Sequence, residues 1–218
     1  PIVFVGNFFK AYTAAVKICD VDVLNVLAYK HEVYRCIQFG LQEVNFDKEI
    51  LDNLRFGDAE RGRRIVFLVY ALEYSKEKRI NEAIKYVRKA YKKEFANNQF
   101  DDRDGLNLLS NLLSNYNIIK GMNIADFYNT YIFGVKGVKQ KVSRGEISGY
   151  YRNHCYKEVA CSIGLENQGK YRSIHQSKGG EFNNVLVIIP RDSRGNNTLD
   201  FLLNPDMKNE EHRVYYVA

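Results

Sequence analysis

Between Ser173 and Phe182 the chain reads Ser-Ile-His-Gln-Ser-Lys-Gly-Gly-Glu-Phe. A hydroxyl, an imidazole, an ammonium, two glycines and a carboxylate stand together between two apolar, extended stretches. Lys178 and the serines can donate to phosphate, and Glu181 can accept from sugar hydroxyls. Gly179 and Gly180 let the backbone approach a ligand closely. A loop of this kind at the end of a buried strand lies where open α/β sheets bind ligands. The plainer reading is a polar loop turned by Gly179-Gly180, and residue types alone weigh the two about equally.

Other residues offer weaker chemistry. His154, Cys155 and Cys161 are metal-ligand types, but their spacing is not that of a zinc module; buried thiols are the better expectation. Lys85, Arg88, Lys89, Lys92 and Lys93 give one helix a basic side. Such a run is usually a solvated face, and less often a nucleic-acid contact. The 16 tyrosines can stack on bases, although most should pack at the edge of the core. Tyr150-Tyr151-Arg152 is the cluster most suggestive of stacking.

Three blocks must position these groups. The first alternates strand and helix. Ile2 to Val5 is a short apolar run closed by Gly6-Asn7. Phe8 to Ile18 has helical spacing, with Ala11, Ala14, Ala15 and Ile18 on one side. Val21 to Tyr29 reads as a buried strand, and His31 to Leu41 as a helix. The second block, Phe46 to about Gly149, is helical throughout. Asp58 is placed to cap a helix with Ile65, Leu68, Val69 and Leu72 on its apolar face. A second helix runs from Asn81 to Phe95. Asp104 heads a third, carrying Leu109, Leu112, Leu113 and Tyr116, and Asn123 heads a fourth that reaches Phe133. The third block returns to strands. Tyr171 to His175 is short, and Val185 to Ile189 is a continuous apolar run expected in a parallel strand buried on both faces. Val214 to Ala218 fits helix or strand. An all-helical block between two α/β blocks reads as an insertion within one domain.

The bulk properties agree with a folded chain. It has 218 residues, 45% of them hydrophobic and 27% charged, enough to bury a core. No apolar run approaches a membrane span, and no charged-then-apolar leader is expected. The four cysteines, Cys19, Cys36, Cys155 and Cys161, form no CxxC pair, so reduced thiols in a cytoplasmic protein are expected. The net charge of +6 and a pI near 9.0 tilt the expectation modestly towards a polyanionic partner.

The segment from Ser173 to Phe182 resembles motif V of UvrD/Rep/PcrA-type superfamily 1 DNA helicases, T-[VI]-H-x-[SA]-K-G-L-E-[FW]. Ser173 replaces the Thr and Gly180 replaces the Leu, which gives up packing under the loop. About thirty residues on, Asn209 to Ala218 resembles the start of motif VI, E-E-x-R-[LV]-x-Y-V-A-x-[ST]-R. The strict match covers about twenty residues, in the family's order and spacing, and the helical insertion agrees with its architecture.

The resemblance implies an α/β fold: a RecA-like parallel-sheet domain, the second of two motor domains, in residues 1–45 and 151–218, interrupted by a helical subdomain over 46–150. It implies that Ser173 and His175 face single-stranded DNA, and that Gly179, Glu181 and Lys178 serve the nucleotide. Glu210, Arg213 and Tyr216 become structural parts of motif VI. The motif's catalytic arginine is expected three positions beyond Ala218. No G-x-x-x-x-G-K-[ST] string occurs, so the phosphate-binding loop and the Mg²⁺ ligands are expected on the first motor domain. ATP and Mg²⁺ are the implied cofactors. Single-stranded DNA, or a single/double-strand junction, and that first motor domain are the implied partners, with no membrane. The chain would form one wall of the ATP cleft and part of the DNA grip. The competing class is a non-catalytic DNA- or protein-interaction module derived from a helicase half.

Overall fold

The structure is a computed structural model, and it describes residues 7–28, 31–40, 49–57, 59–138, 140–165, 169–189 and 206–209. The expected strand at Ile2 to Val5, the cap at Asp58 and the segment containing Glu210, Arg213 and Tyr216 lie outside them. The fold is mixed α/β. The chain divides into two compact units, one from Pro1–Asn45 with Glu166–Ala218 and one from Phe46–Leu165. The helical unit therefore runs past residue 150, because Tyr151, Tyr156, Val159, Ala160 and Cys161 are buried within it. No helix among the described residues is long and apolar enough to cross a membrane.

The first unit is built on a parallel sheet. Among the described residues its strands are β1 (Leu24–Ala28), β2 (Tyr171–Ser173) and β3 (Asn184–Ile188), in the order β2-β1-β3. β1 is central, with Val26 opposite Tyr171 on one side and opposite Leu186 on the other. Val26 and Val187 thus share one sheet. Ile174 does not join it, because the chain leaves β2 at Ser173 and closes a 3-10 turn over Ile174–Ser177.

The two-residue period of the strands sorts their side chains between the sheet's faces. Leu24, Val26, Ala28, Leu186 and Ile188 pack against Ala15, Tyr34 and Ile37. These come from α1 (Phe8–Ile18) and α2 (His31–Gln38). Asn7 caps α1 by accepting the Phe9 N–H at 2.8 Å. The buried side of α1 is Phe8, Tyr12, Ala15 and Val16, rather than the Ala11–Ile18 side. The aromatic rings carry more apolar area than alanine, and Ile18 is left exposed. β3 is not buried on both faces: Val185 is exposed and Val187 half-buried, as suits the outer position β3 holds among the described strands.

The helical unit centres on α4 (Ala59–Lys76), whose Ile65, Val66, Leu68, Val69, Ala71 and Leu72 are fully buried. It packs against α3 (Ile50–Gly57), α5 (Ile80–Ala90), α7 (Asp102–Ser114) and α11 (Tyr156–Ser162). The expected helix at 81–95 is two, because the chain breaks at Tyr91 before α6 (Lys92–Ala96). The Tyr91 ring is buried flat on Phe100, with centroids 4.4 Å apart. α7 is capped by Asp101, not Asp104. The Asp101 carboxylate accepts the Asp104 N–H at 2.8 Å, and Asp104 reciprocates from the third helical position. Asn123 caps α9 (Ile124–Phe127) as expected, accepting the Asp126 N–H at 2.8 Å, and one π-turn carries the chain to Ile132.

Candidate functional site

The Ser173-to-Phe182 segment is a crossover between two parallel strands. Ser173 ends β2 level with Ala28, whereas Asn184 begins β3 level with Leu24. Residues 174–183 must therefore return the chain about 13 Å along the sheet and across β1. They do so with one 3-10 turn, Ile174–Ser177, and no α-helix. Ile174 anchors the crossing by burying its side chain against Leu27 and Val187.

Ser173 starts the crossover as the cap of the 3-10 turn. Its Oγ accepts the Gln176 N–H at 3.3 Å, and the Gln176 side chain accepts the Ser173 N–H at 3.0 Å. The Ser-x-x-Gln spacing is a capping-box signature, so Gln176 could have been found from the sequence. The Ser173 oxygen acts there as acceptor, which leaves its O–H to donate. His175 projects from the same turn and is exposed. Ser177 is buried, and its hydroxyl donates to the Ile174 carbonyl at 2.7 Å.

Ser177 to Gly180 form a tight turn. The Gly180 N–H donates to the Ser177 carbonyl at 2.9 Å. Lys178 has φ −54° and ψ 127°, and Gly179 has φ +77°. Those angles describe a type II turn, whose third position requires a positive φ and hence favours glycine. Gly179 is therefore held by the backbone it must adopt. We expect Gly179→Ala to cost about 1–2 kcal/mol, read as a lower midpoint in denaturant; an unchanged midpoint would contradict the turn assignment.

Gly180 has a different reason. A Cβ there would sit 2.6 Å from the Cζ of Phe182. The Phe182 ring fills the space that a larger residue at 180 would take, and the Arg172 guanidinium lies 4.9 Å from its centroid. Phe182, under Arg172, thus occupies the space beside Gly180. Phe182 closes the segment that the sequence marks out, whereas no local signal points to Arg172.

The candidate residues are spread along the crossover. Ser173 and His175 stand at the carboxyl edge of the sheet. Lys178 and Gly179 occupy the mid-course turn, and Glu181 lies close to the amino end of β3. Lys178, Gly179 and Glu181 are exposed. The segment therefore joins two edges of the sheet instead of clustering at one.

The His154, Cys155 and Cys161 group and the Tyr150-Tyr151-Arg152 cluster resolve into structural roles. His154 Nδ1 and the Cys155 N–H both contact Glu158 Oε2, at 3.0 and 2.8 Å. Burial pushes the Cys155 thiol up from its ordinary value, and Cys161 is fully buried. No cluster of metal-ligating side chains occurs among the described residues. Tyr151 is buried, Tyr150 packs on the His154 ring with centroids 4.2 Å apart, and Arg152 donates to the Ser143 carbonyl at 3.4 Å. Comparison with protein-family models, curated proteins and solved structures finds no match to this chain.

Proposed function

We propose that this chain is part of an ATP-dependent DNA helicase or translocase of the UvrD/Rep type, forming one wall of the ATP cleft and part of the single-stranded DNA grip. The observation that carries the reading is the course of residues 174–183. Its DNA-facing candidates, Ser173 and His175, and its ribose-facing candidate, Glu181, lie at opposite ends of one short crossover braced on the sheet by Ile174. A shift at one end is transmitted to the other through a few residues, as a motor that couples nucleotide state to DNA hold requires. In that motor ATP and Mg²⁺ sit between two RecA-like domains. The phosphate-binding loop and metal ligands come from the other domain, since this sequence has no such loop. Ser173 and His175 contact the DNA backbone, Gly179 and Glu181 face the nucleotide, and Lys178 links the two sites.

The test is titration of a labelled single-stranded oligonucleotide at two salt concentrations with the chain and its His175→Ala variant. We expect binding that weakens steeply with salt, as phosphate contacts dictate, and further weakening in the variant. Binding indifferent to both would leave the segment as a turn with no role in DNA contact.

A further inference from the structure

The helical unit carries an aromatic surface that none of the roles above uses. On α4, Phe67, Tyr70 and Tyr74 follow one another at helical spacing, and Tyr86 of α5 lies across them. The Tyr86 ring is nearly coplanar with Tyr70 at 4.6 Å and 7°, and stacks on Tyr74 at 5.5 Å and 20°. Phe67 meets it at 6.0 Å. Tyr74 is buried, but Phe67, Tyr70 and Tyr86 are only half-buried. A purely structural stack would gain more by closing its rings off from water.

The cations around the stack divide in two. Arg79, Arg88 and Lys93 each pair with a carboxylate, Glu82, Asp102 and Glu60 respectively. Lys85 and Lys89 form no ion pair among the described residues, and both are exposed. Lys89 instead holds its ammonium 4.5 Å from the Tyr86 centroid and 5.8 Å from that of Phe67. Half-exposed rings beside exposed lysines that are in no ion pair among the described residues are the two ingredients of sequence-tolerant single-strand binding, a π-surface for bases and a charge for phosphates.

We propose that the Phe67–Tyr70–Tyr86 surface, with Lys85 and Lys89, is a second binding site for single-stranded nucleic acid, distinct from the crossover at Ser173. An unpaired base stacks on the half-exposed rings. Lys89 leaves the ring as the base arrives and, with Lys85, meets the flanking phosphates; its flexible four-carbon stem permits the exchange. A duplex, whose bases are already stacked on one another, has no ring to offer and binds less well.

The experiment irradiates the full chain with an oligothymidylate carrying one 5-iodouracil and maps the crosslinked peptides. It is accompanied by binding isotherms across salt for wild type, Lys85→Gln/Lys89→Gln, Tyr86→Leu and Tyr86→Phe. We expect a crosslink at Phe67, Tyr70 or Tyr86. Removing two phosphate contacts should make the slope of log affinity against log salt shallower by about 1.4, at ~0.7 per contact on a single strand. Tyr86→Leu should weaken binding about tenfold with the slope kept, whereas Tyr86→Phe should retain wild-type affinity. Crosslinks confined to residues 173–182 would overturn this site and leave the crossover reading standing; crosslinks at the rings alone would support this site and count against the crossover. Equal affinity for duplex, or lysine dependence without dependence on Tyr86, would also overturn the proposal. The wild-type map decides the matter even if Tyr86→Leu fails to fold.

Discussion

Gly62→Ala should destabilise the helical unit by about 3 kcal/mol or more, although the same change usually strengthens a helix. Alanine is favoured over glycine inside a helix by about 1 kcal/mol. At Gly62, however, a Cβ would lie 1.4 Å from the carbonyl oxygen of Leu54 and 2.3 Å from its carbon. Those are backbone atoms of α3, so no side-chain rotation relieves the clash, and Leu54 is itself fully buried. α3 must move off α4 or lose its last turn. Overpacking typically costs about 1–3 kcal/mol where side chains can shift, and here the obstacle is main chain, so the clash outweighs the propensity gain. Gly149→Ala is the control. Gly149 is exposed within α10 (Glu146–Asn153), and a Cβ there meets nothing within 4 Å. It should stabilise by about 0.5–1 kcal/mol. Thermal and denaturant unfolding of both variants is the measurement, and two shifts of the same sign would refute the close approach of α3 to α4.

Arg64→Met should cost about 3–5 kcal/mol, because it strands a buried carboxylate. Arg64 donates to Glu94 Oε1 at 2.7 Å, and both side chains are nearly inaccessible, at 5% and 7% exposure. Arg64 also reaches Glu60 at 3.3 Å and lies 4.8 Å from the Tyr91 ring centroid. Its removal takes away the only cation that the described residues place on Glu94. The site is already poor in partners: Glu94 Oε2 and the Tyr91 hydroxyl have none among the described residues. Burial pushes the Tyr91 hydroxyl up from its ordinary value, so it stays protonated, and a neutral hydroxyl is no substitute for the guanidinium's charge. The double variant Arg64→Met/Glu94→Met should recover most of the loss, since apolar replacement of a whole buried pair is often neutral or stabilising. Equilibrium denaturation of the two singles and the double closes the cycle. A single-variant loss under about 1 kcal/mol, or a double variant no better than Arg64→Met, would mean that the pair does not carry this part of the core.

Features that depend on a few neighbouring residues are written in the amino-acid sequence alone. Asn7 followed by apolar residues at helical spacing marks α1, and its bounds agree with the spacing. The apolar run at 185–189 marks β3, and Asn123 marks the start of α9. The turn expected at Gly179-Gly180 sits one residue earlier, with Lys178-Gly179 at its centre, and it is as local as the Ser173–Gln176 capping box, each spelled out within four residues. Asp101 and Asp104 show the limit of such signals: both are capping types three residues apart, and only the direction of their hydrogen bonds tells cap from partner.

Which faces meet is a matter of tertiary structure. Val26 lies opposite Tyr171 although the whole helical unit separates them in sequence. No spacing rule reaches that far, because strand pairing depends on which edges fold together. The same holds for Phe182 filling the space above Gly180, for Tyr86 lying across Tyr70 from another helix, and for α3 pressing its backbone onto Gly62. Each is a contact between side chains or backbones whose residue types fit several environments. A tyrosine at helical spacing serves equally as core or surface, and a glycine in a helix equally as accident or necessity. Propensity is set within a turn of chain, whereas packing is set by the neighbour the fold supplies.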